Sequence, residues 1–246
     1  MGKKNKIYED FHEKTSVQKK IISKNNFTYR HILRFIDKYA VGKKSIIDIG
    51  CGAGTLCFYV ASKGIQVLGV DISSRAIEAC KKSSRRLDLD KLAKFEIVNF
   101  PEESVNGKFD LVIFTEVIEH LRDDKLALEK IFNMLNKGGI AIISTPSLNA
   151  PLYRLGYANS FDQKVGHLRR YTIGSLVKKC EENGFKVIEI EKVEGILRNF
   201  LFLSPYAGKF VRFIKFFISD MVTFIDNSLI PIFGESNIVV VVVKKT

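Results

Sequence analysis

From Ser45 onward the chain alternates short apolar runs with longer amphipathic stretches. The runs are rich in Val, Ile and Phe and predict buried strands at 45–49, 66–70, 94–98, 109–114 and 139–144. Between them, apolar residues recur at helical spacing and predict helices at 54–62, 74–86 and 123–135. This alternation implies the α/β class, a parallel sheet with helices on both faces. Ligands in such sheets sit at the carboxyl ends of the strands, where the 50–55 loop, Asp71, Asn99 to Pro101 and Thr115 to His120 fall. Upstream, Phe27, His31, Leu33, Phe35 and Ile36 give residues 7–40 a mixed apolar face, read as helix up to Gly42. Downstream, a helix at 172–182 stops at Asn183-Gly184, a strand follows at 185–190, and the run of valines within Asn237 to Val243 forms a last strand. The chain thus divides into a helical cap (1–40), a core (41–194), an aromatic-rich basic insertion (195–235) and a final edge strand (236–246).

The turn after the first strand reads Asp48-Ile49-Gly50-Cys51-Gly52-Ala53-Gly54-Thr55. Alternate glycines permit positive φ and let a ligand approach the peptide planes. Their Gly-x-Gly-x-Gly spacing differs from the Gly-x-Gly-x-x-Gly of pyrophosphate-binding turns. No Lys or Arg occurs from Asp48 to Val60, so the loop offers a phosphate no charged side chain, whereas a cationic ligand would be tolerated. Asp71 ends the second strand, where a carboxylate can accept two hydrogen bonds from a ribose diol.

Glu116, Glu119 and His120 follow the strand at 109–114 at spacings that share one face of a helical turn, next to the glycine loop. With that loop and Asp71 they resemble class I S-adenosylmethionine-dependent methyltransferases, over about Arg30 to Val193. The resemblance implies a Rossmann-like seven-stranded sheet, parallel with an antiparallel C-terminal hairpin and helices on both faces. It also implies S-adenosylmethionine held by Asp48, Gly50, Cys51, Gly52, Gly54, Asp71 and Ile72, with Arg30 at its carboxylate, Asn99 and Phe100 at its adenine, and Thr115 at its methionine end. Asn99 departs from the acidic residue more usual there.

The Glu-x-x-Glu-His pattern is similar to two groups, the ubiquinone-pathway O-methyltransferases and the 2′-O-methyltransferases of small-RNA 3′ ends. In both, a downstream histidine joins these side chains around a divalent metal that binds adjacent hydroxyls. Here His167 is placed to do so, which implies Glu116, Glu119, His120 and His167 around Mg²⁺ or Mn²⁺. A hydroxyl nucleophile needs a base or a Lewis acid, so Glu116, His120 and His167 are the candidate catalytic groups, a histidine serving as base if no metal binds.

A formal net charge of +12 suits an anionic partner, nucleic acid or an acidic membrane, although the lysines are spread along the chain rather than in one stripe. In 206–219, Lys209, Arg212 and Lys215 lie on one helical arc, opposite Phe210, Phe213, Ile214 and Phe217. Such a stretch can close over an apolar substrate or lie on an anionic membrane surface. The four cysteines form no zinc-type pair and fit a reducing cytoplasm, with the inner face of the membrane as the place of any peripheral contact. Met1 to Lys6 leads into no apolar signal region, and no window is long enough to span a bilayer. The expectation is methyl transfer to a small molecule, a hydroxyl of an apolar or lipid-like acceptor. The alternatives are a metal-dependent RNA 2′-O-methyltransferase and a non-catalytic S-adenosylmethionine-binding scaffold.

Overall fold

The computed structural model describes residues 9, 17–203 and 219–245. Seven strands, β1 (Ser45–Ile49), β2 (Gln66–Asp71), β3 (Ala93–Ile97), β4 (Phe109–Thr115), β5 (Leu135–Pro146), β6 (Phe185–Val193) and β7 (Asn237–Lys244), form one sheet in the order β3-β2-β1-β4-β5-β7-β6. β1 to β5 pair in parallel, and β7 runs antiparallel to both β5 and β6. This is the Rossmann-like sheet and C-terminal hairpin expected from the sequence.

The first helices are α1 (Arg30–Tyr39), α2 (Thr55–Ala61) and α3 (Ser74–Arg86). They cover one sheet face, where Phe35, Phe58 and Ile77 pack with Ile46, Leu111 and Val241. On the other face, α4 (Asp124–Met134) and α7 (Ile173–Glu182) bring Leu128, Ile131 and Leu176 against Val112, Ile143 and Val240. Short helices α5 (Pro151–Arg154) and α6 (Asn159–Val165) precede α7, and α8 (Ile196–Leu203) and α9 (Ser219–Phe233) lie between β6 and β7.

Two expectations are corrected here. The valine strand β7 is not at the edge, because its side chains enter both cores, Val239 and Val241 on one face and Val240 and Val242 on the other. Each such valine contributes about 1.5–3 kcal/mol, a gain that only an interior strand collects on both faces. β6 takes the edge, and its alternating burial leaves Ile188 and Ile190 exposed. From residue 17 onward the predicted 7–40 helix shrinks to α1. Asn26 ends it upstream, its Oδ1 accepting the amides of Thr28 and Tyr29 at 3.0 and 3.2 Å in place of a helical turn. Most of 7–16, and the 206–219 stretch except Ser219, lie outside the described residues.

Candidate active site

The carboxyl ends of β1, β2, β4 and β6 open onto a cavity of about 770 Å³. At the β1 end Gly50 has φ +74°, and a Cβ there would clash with Val117 Cγ2, so the loop needs glycine on both counts. The Gly50 and Cys51 amides donate to Val70 O, and the Gly52 amide donates to Asp71 Oδ2 at 2.9 Å. Asp71 Oδ1 accepts the Ser73 amide at 2.9 Å, which fixes the carboxylate where β2 meets the loop.

Below the loop lie thiols that sequence reasoning passed over. Cys80 Sγ donates to Gly52 O at 3.2 Å and Cys57 Sγ to Asp48 Oδ2 at 3.3 Å. Burial pushes the Cys57 thiol up to about 12, so it stays protonated and able to donate. Burial likewise raises Asp48 to about 7, with the Asp71 charge adding to the shift. Gln18 was also unforeseen, and its Nε2 donates to Ala53 O and Thr55 Oγ1 at 3.0 and 2.7 Å.

Asp48, Cys51, Ile72, Asn99, Phe100 and Thr115 all line the cavity. Two of the residues assigned to the cofactor do not. Arg30 is drawn to the other side of α1, its guanidinium bonded to Asp220 at 2.6 Å and to Thr223 Oγ1 at 2.9 Å, while its neighbours Tyr29 and His31 face the cavity. Gly54 is a packing residue, since a Cβ there would meet Cys80 Sγ at 2.9 Å and the Phe58 ring at 3.1 Å.

At the β4 end the predicted quartet separates. Ile118–His120 forms a single 3-10 turn, and Glu116 precedes it in the left-handed region at φ +56°. That backbone swings its side chain off the shared face, and Oε1 accepts from Ser144 Oγ and Asn237 Nδ2, each at 2.8 Å. Glu119, His120 and His167 remain as the cluster whose ligand atoms lie within 4.8 Å of one another. His167 arrives because the Leu168 amide donates to Glu119 O at 2.9 Å and its own amide to Asp162 O at 2.9 Å. Each histidine Nε2 lies 3.9 Å from Glu119 Oε1, and the rings meet edge to face with centroids 4.7 Å apart.

The surrounding bonds set the orientation of this cluster. His167 Nδ1 is 3.0 Å from Asp162 Oδ1 and His120 Nδ1 is 3.2 Å from Gly166 O, so both Nδ1 atoms face acceptors and both Nε2 atoms face Glu119. Arg170 grips Asp162 with two bonds of 2.7 Å, and these partners hold the Asp162 carboxyl down at about 2 despite its burial. Glu119 is fully buried, Oε2 accepts from Thr145 Oγ1 at 3.1 Å, and Oε1 has no hydrogen-bond partner among the described residues. Burial, then the nearby Glu116, push its carboxyl well above the usual range. A buried carboxylate oxygen facing two oriented imidazoles fits a divalent cation, the Nδ1 contacts being the outer partners such ligands take.

The cavity also takes in His31, Glu194, Asn199 and Asn237, none of which the sequence reading selected as site residues. Glu194 follows β6 directly, so the strand-end rule applied to that strand would have flagged it.

Comparison with known proteins places this geometry. A family model described as a methyltransferase domain matches residues 41–198. The ubiquinone biosynthesis O-methyltransferase of Nitrobacter winogradskyi is 35% identical over 111 residues, which cover 45% of this chain and 42% of that protein. The chain spans about half the length of the curated relatives it matches. Phosphoethanolamine N-methyltransferase 2 of Haemonchus contortus, solved with S-adenosyl-L-methionine, superposes with a TM-score of 0.68 at 18% identity, covering 97% of this chain and 60% of that one. A [4+2]-cyclase gives 0.62 at 16% identity, covering 88% and 80%, so likeness at this level shows the fold and leaves the reaction to the site.

Proposed function

The chain belongs to the methyltransferase-domain family, and from that premise we propose that it binds S-adenosylmethionine and methylates a hydroxyl of a small-molecule acceptor. The observation that carries the reading is the opening of one cavity onto both the Asp71-anchored glycine loop and the His120–His167 pair. When bound, the cofactor supplies an electrophilic methyl on a sulfonium. Asp71 keeps a lone pair on each oxygen beyond its amide bonds and would receive the ribose diol. Ile72, Asn99 and Phe100 would flank the adenine, and Gly50, Gly52 and Thr115 the methionine end.

Glu119, His120 and His167 would hold Mg²⁺ or Mn²⁺, which supplies Lewis-acid activation of an adjacent hydroxyl. Asp162 and the Gly166 carbonyl keep the imidazole Nε2 atoms aimed at that point, and burial of Glu119 excludes water. The RNA reading is less well supported. The cavity walls carry Asp48, Asp71, Glu116 and Glu194, and the cavity-lining Arg170 is committed to Asp162, so a phosphate chain would meet carboxylates.

An apolar portion of the acceptor would leave past Phe161, which lines the cavity yet is 38% exposed. Phe200, Phe224 and Ile232 lie exposed on α8 and α9, the elements flanking the basic 206–219 stretch, and favour peripheral contact with an anionic membrane. No helix among the described residues is long and apolar enough to cross a membrane.

The direct test is transfer of label from radiolabelled S-adenosylmethionine to a simple catechol, with Mn²⁺ and after chelation. Transfer that needs Mn²⁺ supports the whole reading, and transfer indifferent to chelator would return Glu119, His120 and His167 to a structural role. Failure to bind S-adenosylmethionine would sink the proposal outright.

A further inference from the structure

Three described non-glycine residues adopt positive φ: Asp88, Glu116 and Glu194. Asp88 lies between α3 and β3, whereas Glu116 and Glu194 both line the cavity and bring it carboxylates. A left-handed residue other than glycine is strained and persists where its surroundings over-determine it.

Glu194, at φ +58°, is held in that way. Arg198 Nη2 bonds Glu194 Oε1 at 2.7 Å, and the guanidinium, on a side chain only 2% exposed, stacks 4.6 Å over the Phe27 ring. The start of α8 is fixed in turn by buried Asp226, which accepts the amides of Gly195, Leu197 and Arg198 at 2.7, 2.9 and 3.2 Å. His31 faces this carboxylate from α1, its Nδ1 3.6 Å from Glu194 Oε1, and burial holds the imidazole down at about 4, hence neutral near pH 7.

His31, Glu194, Asn199 and Asn237 form a polar wall beside Glu116. Buried polar atoms on that wall, His31 Nδ1, Asn199 Oδ1 and Asn237 Oδ1, lack hydrogen-bond partners among the described residues. An unpaired buried acceptor is costly, and two of these three atoms are carbonyl oxygens that only a donor can satisfy.

We propose that this wall is a second acceptor subsite, in which Glu194, Asn199 and Asn237 receive a hydrogen-bond-donating group, O–H or N–H, separate from the hydroxyl that is methylated. The proposal rests on the function above and adds a specificity to it: the acceptor is polar at two places, and Glu194 selects against an anionic substituent.

Four catechols test it: 3,4-dihydroxyphenethylamine, 4-(2-hydroxyethyl)catechol, 4-ethylcatechol and 3,4-dihydroxyphenylacetate. Each is titrated calorimetrically into protein saturated with S-adenosylhomocysteine and Mn²⁺, and S-adenosylmethionine binding is measured separately. The amine or the alcohol should bind at least tenfold tighter than 4-ethylcatechol, and the carboxylate weakest. A preference for the amine over the alcohol identifies an ammonium as the donor, and equal affinity identifies a hydroxyl-type donor. Glu194→Gln should shrink the amine's advantage several-fold without changing the affinity for S-adenosylmethionine, with circular dichroism confirming that the variant is folded. Equal binding of all four probes, or preference for the carboxylate, overturns the subsite while intact S-adenosylmethionine binding leaves the proposed function standing. Loss of S-adenosylmethionine binding by the wild type would instead overturn that function.

Discussion

The two halves of the cavity are built by different means. The half at β1 and β2 is made of backbone: glycine φ values, amides donating to Val70 O and Asp71, and thiols beneath the loop. The half at β4 and β6 is made of side chains drawn from distant segments, with two strained glutamates and buried polar atoms that lack partners among the described residues. A backbone-built site is rigid and tolerates little substitution, which suits a constant ligand. A side-chain-built site can change its ligand through single residues, which suits an acceptor that differs among members of one fold.

The largest expected effect probes the rigid half. Asp48 is 2% exposed, and its folded carboxyl stands near 7 against 3.8 for the free residue. A folded pKa raised above the unfolded one contributes stability that is complete below the unfolded value and lost as pH rises through the folded one. That loss is on the order of 4 kcal/mol, taking about 1.4 kcal/mol per unit. Asp48→Asn does not titrate, so its stability advantage over the wild type should widen between pH 4 and pH 8 in denaturant unfolding. A gap independent of pH would show that Asp48 is solvated.

Next comes Asp71→Ala, which removes two bonds to a carboxylate. It should weaken S-adenosylmethionine binding by about a hundredfold or more in calorimetry, at roughly 1.5–3 kcal/mol per charged bond. Unchanged affinity would remove Asp71 from the ribose.

The side-chain half should respond in catalysis rather than in cofactor affinity. Asp162→Asn leaves His167 and Arg170 without their carboxylate partner, so metal affinity should fall about 10- to 100-fold, measured as the Mn²⁺ concentration needed for half-maximal transfer. An unaltered Mn²⁺ requirement would mean that Asp162 serves packing alone.

The smallest effect is on stability. Glu116→Gly relieves the φ +56° strain and should offset part of the loss of the Ser144 and Asn237 bonds, keeping stability within about 1 kcal/mol of wild type while transfer falls. Retained transfer would show that the cavity does not use this carboxylate.

Legibility followed the same division. The glycine turn, the Asp71 strand end and the α3 and α7 boundaries were readable because each obeys a rule acting within a few residues, such as the Ser73 side chain capping α3 at 3.2 Å. The family resemblance implies Arg30 at the cofactor's carboxylate, but Asp220, 190 residues away, claims it instead. Glu116 was grouped with Glu119 and His120 by helical spacing, but its left-handed backbone breaks that periodicity before the turn begins. The interior place of β7 was not legible, because a valine run says only that both faces are apolar, not which strands flank it.

By itself, then, the sequence determined the α/β rhythm, the glycine-lined ligand turn and the carboxylate beside it, since these arise from side-chain period and local φ, ψ preferences. The tertiary structure decided which acids join the histidines, where Arg30 goes, which strand stands at the edge, and that Glu194 and His31 reach the cavity. Those outcomes depend on the sign of φ at single residues and on competition between partners far apart in the chain, which no local pattern encodes.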